Sequence, residues 1–242
     1  MKKEGLMKQV KQNLLTFWEK YKHLSILSYF VVYLLWFAYV EKTVTSHFHV
    51  IHMALDDVIP FCEYFIIPYL LWFAYVAWGI AFFAFHNKSD YYKLCIFLFT
   101  GMTVFLVIST IYPNGHFLRP YYFEHHNFFT MLCEKLYATD TPTNLFPSIH
   151  VYNSLAVHIA VVKSDEFKKG KVVRLISFIL CSSIILATMF LKQHSFFDVL
   201  TACGLAFVMY QVLYAKAFAK ETITEKQTKN QPQGYKKGLP QI

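Results

Sequence analysis

The sequence predicts an all-α protein that crosses a membrane several times. Of its 242 residues, 56% are hydrophobic and only 16% are charged, whereas a soluble domain carries about 25% charge. The apolar residues are gathered in six continuous runs, each near the roughly 20 residues that a helix needs to cross a bilayer. Continuous runs argue against a membrane β-barrel, because barrel strands alternate apolar and polar residues.

The apolar runs predict six spanning helices, at about 24–40, 60–85, 92–112, 149–162, 172–191 and 196–217. The fourth run is short and contains His150 and His158, so its assignment also depends on its position between the other runs. We therefore expect a six-helix membrane domain over residues 24–218. A basic segment, 1–23, precedes it, and a polar tail, 219–242, is expected to be flexible because it lacks the apolar residues of a core.

The basic residues predict the orientation of these helices. Of the 23 Lys and Arg residues, 19 flank the runs on one side, and the alternate loops hold only four: Lys42, Arg119, Lys135 and Lys192. By the positive-inside rule, both termini are expected to be cytoplasmic in a multi-pass protein of the cell membrane. The net charge of +8 then reflects topology and affinity for anionic membrane lipids, and we expect no nucleic-acid partner.

The octamer YLLWFAYV occurs twice, at 33–40 and at 69–76. Two interpretations are open: an internal duplication of the kind found in transporters, or two independent aromatic-rich helices near a membrane interface. The flanking residues do not match, which favours the second interpretation.

Metal and disulfide chemistry is weakly indicated. The five cysteines show no paired spacing, and Cys62 could pair with Cys133 only if both face an oxidising compartment. Glu124, His125 and His126 are residues of metal-binding type, but no fourth ligand follows at a suitable spacing. We therefore predict neither a metal nor another cofactor.

The stretch LKQHSFFD on the cation-poor side carries two residues suited to nucleophilic catalysis. His194 and Asp198 are four residues apart, so on a helix they would share one face. A carboxylate there accepts one imidazole N–H and fixes which ring nitrogen faces a substrate. A neutral imidazole held in this way is a competent nucleophile.

The stretch LFPSIH and the long loop before it add groups that suit phosphate. We expect a helix to start here, with Pro147 in its first turn and Ser148 able to cap it, and backbone N–H groups at a helix start favour anions. His150 could protonate a leaving oxygen. The planar guanidinium of Arg119 fits phosphate oxygens, and Lys192 adds a point charge. Together these residues describe a metal-free phosphoryl-transfer site.

Each residue also has a simpler interpretation. A histidine at a membrane interface is commonly an amphipathic side chain, a lone cation there usually snorkels, and Asp198 in a first helical turn could only complement the helix dipole. His158 lies near mid-membrane, where an ionisable group is a functional candidate, but a neutral histidine bonded to a neighbouring helix is favoured. Asp56 and Asp57 are expected only to cap the second helix. The occurrence of the two histidines, the two cations and Asp198 together on the cation-poor side favours a phosphoryl-transfer site.

Three motifs follow one another along that side: Arg119-Pro120, then Pro147-Ser148-Ile149-His150, then His194 and Asp198. Their order resembles the pattern K-x6-RP, PSGH and SR-x5-H-x3-D of the type 2 phosphatidic acid phosphatase (PAP2) superfamily, over residues 60–217. Tyr112 stands where that pattern has its lysine, Ala187-Thr188 replace its Ser-Arg pair, and Ile149 replaces its glycine. The third motif is also similar to the looser one of the inositol phosphorylceramide synthase-like branch, whose members transfer phosphoryl head groups between lipids.

The resemblance implies a PAP2-like helical bundle with its site on the non-cytoplasmic face. It implies that His194 forms a phosphohistidine, that Asp198 orients it and that His150 protonates the leaving alkoxide. The phosphoryl oxygens would be held by Arg119, Lys192 and Ser148, with Tyr112 and His158 as accessory candidates.

The expected function is hydrolysis of a phosphomonoester or diphosphate lipid, with that lipid phosphate and the membrane lipids as partners. The alternatives are a lipid phosphotransferase, or a transporter or lipid-binding protein with a degenerate site. The sequence selects neither the lipid nor the oligomeric state.

Overall fold

The fold was analysed in a computed structural model that describes residues 2–44 and 47–215. These residues form nine α-helices: α1 Lys2–Tyr21, α2 Tyr29–Thr43, α3 Ala54–Val58, α4 Ile66–His86, α5 Lys88–Ile111, α6 Phe128–Thr139, α7 Ile149–Lys163, α8 Lys171–Phe190 and α9 Phe196–Tyr210. Two short parallel strands, β1 His49–Val50 and β2 Asn114–Gly115, pair with each other. A 3-10 helix, Lys22–Ser28, joins α1 to α2, and a π-helical turn, Gln211–Ala215, extends α9. The predicted helical class is confirmed.

Five helical stretches are long and apolar enough to cross a membrane, which supports a polytopic membrane protein: Lys11–Thr43, Glu63–His86, Lys88–Ile111, Lys171–Phe190 and Phe196–Ala215. The sequence predicted six. The run at 149–162 is helical, as α7, but this helix has 15 residues and rises only about 22 Å. That length is below the roughly 30 Å of hydrocarbon in a bilayer.

Helix α7 lies at the centre of the bundle, packed against α4, α5, α8 and α9. Its polar residues Asn153 and Ser154 are buried together with its apolar ones, so a helix this short is enclosed by protein on most sides. Helix α7 approaches α5 closely at Gly101. A Cβ atom there would lie 2.0 Å from the Tyr152 ring, so the approach of the two helices requires glycine.

The segments that join the helices at one end of the bundle are tied together through Asn114 in β2. Its side-chain Oδ1 accepts hydrogen bonds from the backbone N–H groups of Leu145 and Phe146, at 2.9 and 3.0 Å. Its own backbone oxygen accepts from Asn144 at 2.7 Å. These bonds fix the chain just before α7 and bring it against the turn between α8 and α9, where Ser148 N–H donates to the Asp198 carbonyl.

The region between α5 and α7, treated as a loop from the sequence, contains the 12-residue helix α6. Asn127 caps it by accepting from the N–H groups of Phe129 and Thr130, and its buried Cys133 packs with Ile66 of α4. Because α6 is too short to span a membrane, the long apolar runs of the sequence did not predict it. Cys62 and Cys133 are both free thiols, and the predicted flexible tail, 219–242, lies outside the described residues.

Candidate functional site

A cavity of about 330 Å³ opens between α2, α4 and the start of α7, and both His150 and His194 line it. This volume lies within the range of small-ligand sites, about 300–1,000 Å³. The wall of this histidine cavity combines aromatic and polar side chains: Tyr33, Phe37, Tyr69, Trp72, Phe73 and Phe105, with Glu41, Thr139, Asp140, Thr143 and Asn144.

The two histidines face each other across this cavity, with ring centroids 5.7 Å apart. His150 is held by aromatic contacts, since its ring centroid lies 4.5 Å from that of Tyr69 and 4.3 Å from that of Trp72. No described side chain or backbone group is hydrogen bonded to its ring nitrogens. The imidazole is therefore positioned by packing, while its nitrogens remain available to a ligand.

The predicted contact between His194 and Asp198 is present, with 3.4 Å between Nδ1 and Oδ2. The predicted geometry is wrong, because α9 starts at Phe196 and His194 precedes it. The carboxylate of Asp198 instead turns back over the helix start and accepts from the Ser195 backbone N–H at 3.0 Å. An ionised carboxylate only accepts, so the tautomer of His194 that carries its proton on Nδ1 fits this contact.

His194 is held as a neutral imidazole. Only 5% of its surface is exposed, and this burial lowers its pKa to about 3, with the positive charge of Arg119 acting in the same direction. A backbone hydrogen bond with Leu145 opposes the shift. The ring is therefore uncharged near neutral pH, which is the state a nucleophile requires.

Asp56 is a site residue whose role sequence reasoning missed. Its side chain is buried, with 2% of the residue exposed. It accepts from the Ser195 hydroxyl at 2.6 Å, the Phe196 N–H at 2.7 Å and the Met53 N–H at 2.8 Å. Asp56 thus caps α3, not the second predicted helix, and it also clamps the start of α9. The acidic pair was visible in the sequence, but no local signal links it to a segment 139 residues away.

Lys192 anchors the same turn from its other side. Its ammonium donates to the backbone oxygens of Asp56 at 2.6 Å and of Ile59 at 2.5 Å, and its backbone has a positive φ of 52°. Burial lowers the pKa of Lys192. Two of its three N–H donors therefore hold the α3 segment against the turn that carries His194.

Arg119 does not line the cavity; its two terminal nitrogens are hydrogen bonded, whereas its buried Nε has no partner among the described residues. NH1 donates to the Asp140 carbonyl at 2.7 Å, and NH2 donates to Gln193 Oε1 at 2.7 Å and to the Thr141 carbonyl at 3.2 Å. The guanidinium also stacks over the Tyr137 ring at 4.6 Å. Arg119 therefore joins the segment after α6 to the residue that precedes His194.

His116 supports Gln193 from the long loop, another contact that the sequence did not reveal. Its Nδ1 accepts from the Leu118 N–H at 3.2 Å, so its Nε2 must donate to the Gln193 carbonyl, 2.9 Å away. Burial lowers the pKa of His116 to about 4. The backbone next to His194 is thus held by a neutral histidine on one side and a cation on the other.

Ser148 is the N-cap of α7, since its Oγ accepts from the Val151 N–H at 3.4 Å. Pro147 therefore precedes the cap, and its predicted position in the first helical turn is wrong. Ser148 is fully buried behind the wall. In the described part of the chain, neither Ser148, Arg119 nor Lys192 lines the histidine cavity.

The two accessory candidates lie away from this cavity. Tyr112 ends α5 and stacks on His49, with ring centroids 4.2 Å apart. His158 is hydrogen bonded through Nδ1 to the Ser177 hydroxyl of α8 at 2.9 Å, which confirms the favoured interpretation of a histidine bonded to a neighbouring helix. Over residues 2–44 and 47–215, no three or more His, Cys, Asp or Glu side chains form a group that could hold a metal ion.

A second cavity, of about 610 Å³, continues from the first along α2 and α4. The two share five lining residues: Tyr33, Leu34, Trp72, Phe73 and Ile149. Apart from Asn153, its other lining side chains are apolar. Leu34 and Phe73 are 59% and 60% exposed, so the cavity opens on the outside of the bundle. The two copies of the repeated octamer lie in α2 and α4 and supply both walls of this apolar groove.

Comparison of the chain with known protein families, curated proteins and solved structures finds no match. The interpretation of the site therefore depends on its own geometry and chemistry.

Proposed function

We propose that the chain is an integral membrane lipid-phosphate phosphatase of PAP2 type, which hydrolyses a phosphomonoester or diphosphate lipid through a phosphohistidine. One observation carries the proposal. His150 and His194, 44 residues apart in the sequence, line one cavity with their rings 5.7 Å apart, and His194 is bound to a carboxylate. A nucleophile oriented by an acid, opposite a second proton-transfer group, is the arrangement that covalent phosphoryl transfer requires.

In the first step, Nε2 of His194 attacks phosphorus while Asp198 holds the proton on Nδ1. The bond between phosphorus and the lipid oxygen breaks, and His150 gives a proton to the departing alkoxide. In the second step, a water molecule gives a proton to His150 and attacks the phosphohistidine. The N–P bond breaks, inorganic phosphate leaves, and both histidines return to their starting states.

The phosphoryl oxygens would be met at the start of α7 by backbone N–H groups of Ile149 and His150, which line the cavity, and Ser148, which is buried outside the lining, would support them as the cap of the helix. Arg119 and Lys192 lie on the same side, but their donors bind carbonyl oxygens and Gln193. They would contact phosphate through the donors that these bonds leave unused, Nε–H of Arg119 and one N–H of Lys192, or by exchanging these partners. Their present contribution is to fix the turn that carries His194.

The apolar groove supports a lipid substrate. It continues from the histidine cavity along α2 and α4 and opens where Leu34 and Phe73 are exposed. Burying an acyl chain there removes apolar surface from water at roughly 25 cal/mol per Å². A lipid could thus keep its phosphate beside His194 and its tail among apolar side chains.

The proposal includes six membrane-crossing segments with α7 as the enclosed, short one. The end of the bundle opposite the histidine cavity carries a cluster of cations between α7 and α8, including Lys168, Lys169 and Lys171. The positive-inside rule assigns that end and both termini to the cytoplasm. The site then faces the non-cytoplasmic side of the cell membrane.

Release of inorganic phosphate by the purified full chain in detergent tests this function. The substrate panel comprises phosphatidate, an isoprenyl diphosphate, phosphatidylglycerol phosphate and a sphingolipid phosphate. We expect hydrolysis of at least one, loss of activity in His194→Ala, and retention in the control His86→Gln, whose residue lies exposed at the other end of α4. EDTA should leave the rate unchanged, because the two histidines supply the nucleophile and the acid. Absence of phosphate release from every substrate would favour the lipid-binding or transport alternative.

A further inference from the structure

One part of the histidine-cavity wall is built from hydrogen-bond acceptors. The side chains are Glu41 at the end of α2, Asp140 after α6 and Asn144 before α7. Two segments of the chain, the end of α2 and the connection between α6 and α7, bring them to the cavity that also holds His150 and His194.

Glu41 is fixed by two donors from the opposite segment. The Thr141 hydroxyl donates to its Oε2 at 2.6 Å, and Asn144 Nδ2 donates to its Oε1 at 3.1 Å. Each carboxylate oxygen can accept about two hydrogen bonds. Glu41 therefore keeps acceptor capacity while its position is held.

Asn144 has an unused acceptor beside this carboxylate. The bond from Nδ2 to Glu41 determines the orientation of the amide, so the remaining atom, Oδ1, can only accept. Oδ1 has no partner among the described residues, although Asn144 is just 4% exposed. Buried polar atoms without partners are rare in folded proteins, and this one belongs to a residue of the cavity wall.

Asp140 supplies the third acceptor. Its Oδ2 receives only a long bond, 3.5 Å from the Tyr69 hydroxyl. Burial raises the pKa of Asp140 to about 6, although the nearby positive charge of Arg119 lowers it. The guanidinium of Arg119 bonds to the Asp140 backbone oxygen, and no cation of the described residues is paired with the Asp140 carboxyl group.

The wall thus offers oxygen acceptors to whatever lies next to the two histidines. A phosphate carries only acceptors when fully ionised and would be repelled by this part of the cavity. A hydroxyl group can donate to a carboxylate, and bonds of that kind are shorter and stronger than bonds between neutral groups.

We propose that Glu41, Asp140 and Asn144 form a subsite that binds the hydroxyl groups of a polyol, adjacent to the phosphorus atom attacked by His194. The inference rests on the phosphohistidine chemistry of the proposed function, because it names the group that the phosphoryl centre carries or receives. A polyol head group extends the substrate from a phosphomonoester to a phosphodiester lipid. The polyol could be the head group of the lipid itself or a free alcohol.

Both sources give balanced reactions. If the polyol is the lipid head group, its oxygen leaves phosphorus and takes a proton from His150 as His194 forms the N–P bond. If it is a free alcohol, its hydroxyl gives a proton to His150 and its oxygen attacks the phosphohistidine. The new P–O bond then replaces the N–P bond, and the product is a phosphate ester of the alcohol.

The head-group source is tested by binding. Dioctanoyl phosphatidylglycerol is compared with dioctanoyl phosphatidylpropanol, which lacks two hydroxyls, by calorimetry on full-length His194→Ala protein in detergent. We expect the glycerol lipid to bind at least about tenfold more tightly, because losing a hydrogen-bonded hydroxyl leaves buried acceptors unpaired.

The free-alcohol source is tested with active protein and dioctanoyl phosphatidate. Glycerol and 1-propanol are added separately, and the alkyl phosphate formed is measured against inorganic phosphate. Preferential formation of glycerol phosphate, by about tenfold or more, is the expected result for an acceptor held in this subsite.

Glu41→Gln and Asp140→Asn should each reduce whichever preference is found. The matched control is Glu63→Gln, a carboxylate bonded to Asn127 and absent from the residues that line the histidine cavity.

Equal binding of the two lipids together with equal use of the two alcohols would overturn the subsite, and phosphate release from phosphatidate would still uphold the phosphatase. A hydroxyl preference in binding without any phosphate release would uphold the subsite and refute the phosphatase. Comparison of the paired ligands on one protein keeps the test independent of how well any wall variant folds.

Discussion

The carboxylate of Asp56 accepts a hydrogen bond from the hydroxyl of Ser195 at 2.6 Å, across 139 residues of sequence. It also accepts from the Phe196 N–H, so one buried acid holds two consecutive residues directly after His194. Asp198 reaches the same turn from the other side, through the Ser195 N–H. The position of the proposed nucleophile is thus determined by one acid from a distant segment, Asp56, and one from the adjacent first turn of α9, Asp198.

Replacement of Asp56 tests this positioning role. Asp56→Asn puts an NH2 group against donors at Ser195 or Phe196, so we expect kcat to fall by about tenfold or more, with KM changed less. The free energy of unfolding should fall by roughly 1–3 kcal/mol, because a buried donor loses its acceptor. Steady-state kinetics and thermal unfolding in detergent measure the two effects.

The neighbouring Asp57 provides the control for that experiment. It forms an exposed pair with His52 at 2.8 Å, and such pairs contribute about 0–1 kcal/mol. Asp57→Asn should therefore leave both kcat and stability nearly unchanged. Equal effects of the two substitutions would contradict a specific role for Asp56.

Acidic pH should destabilise the protein through its buried histidines. The pKa of His194 is lowered to about 3 and that of His116 to about 4, both from 6.5. Between the folded pKa and 6.5, each histidine binds a proton in the unfolded chain but not in the folded one. Its contribution to stability is therefore fully present above pH 6.5 and is lost as the pH falls. Because of each histidine, the free energy of unfolding should fall by on the order of 1–2 kcal/mol between pH 7 and pH 5.

Asp140 should act in the opposite direction over part of this range. Its folded pKa is raised from 3.8 to about 6, so its contribution to stability is present below pH 3.8 and is lost as the pH rises through 6. Asp140→Asn removes this offset, and its melting temperature should fall more steeply than that of the wild type between pH 7 and pH 5. Melting curves at intervals of half a pH unit test the sign, and a shallower dependence in the variant would contradict it.

The contact between α5 and α7 should be intolerant of any side chain at position 101. In Gly101→Ala the new methyl group would meet the Tyr152 ring, 2.0 Å away in the present geometry, and overpacking of this kind typically costs about 1–3 kcal/mol. Gly204→Ala in α9 is the matched control, since nothing lies within 4 Å of the added Cβ. Thermal unfolding should show a lower melting temperature for the first variant and an equal or higher one for the second. Equal melting temperatures would show that α5 and α7 are not so closely packed.

The proposed acyl groove can be blocked without touching the histidine cavity. Ala77 lines only the apolar groove among the two cavities, and Ala77→Phe should lower kcat/KM for dioleoyl phosphatidate by about tenfold or more. Dibutyryl phosphatidate should be affected little, because its short tails bury less apolar surface there. Ala74→Phe, one turn earlier and lining neither cavity, serves as the control. If both variants impair the two lipids equally, the groove does not hold the tail.

Local sequence signals determined the positions of most apolar helices and two local contacts of this protein. The apolar runs predicted α4, α5, α8 and α9 nearly to their ends, since hydrophobic length alone decides which stretches suit a bilayer. Ser148 was recognised as a helix cap, and the spacing of His194 and Asp198 predicted their contact, because both depend on a few consecutive residues. Only α7 was predicted with a span length that the helix does not reach.

Tertiary structure alone decided what surrounds those residues. Asp56 and Ser195 meet because α3 packs against the start of α9, and Glu41 meets Asp140 and Asn144 because the end of α2 lies against the connection between α6 and α7. The terminal nitrogens of Arg119, a residue predicted to hold phosphate, instead donate to carbonyl groups and Gln193. Such contacts join residues as many as 139 positions apart, and neither hydropathy nor the spacing of nearby residues predicts them. The contact between His194 and Asp198 could be predicted from the sequence, whereas the acceptor wall beside the two histidines follows from how the helices pack.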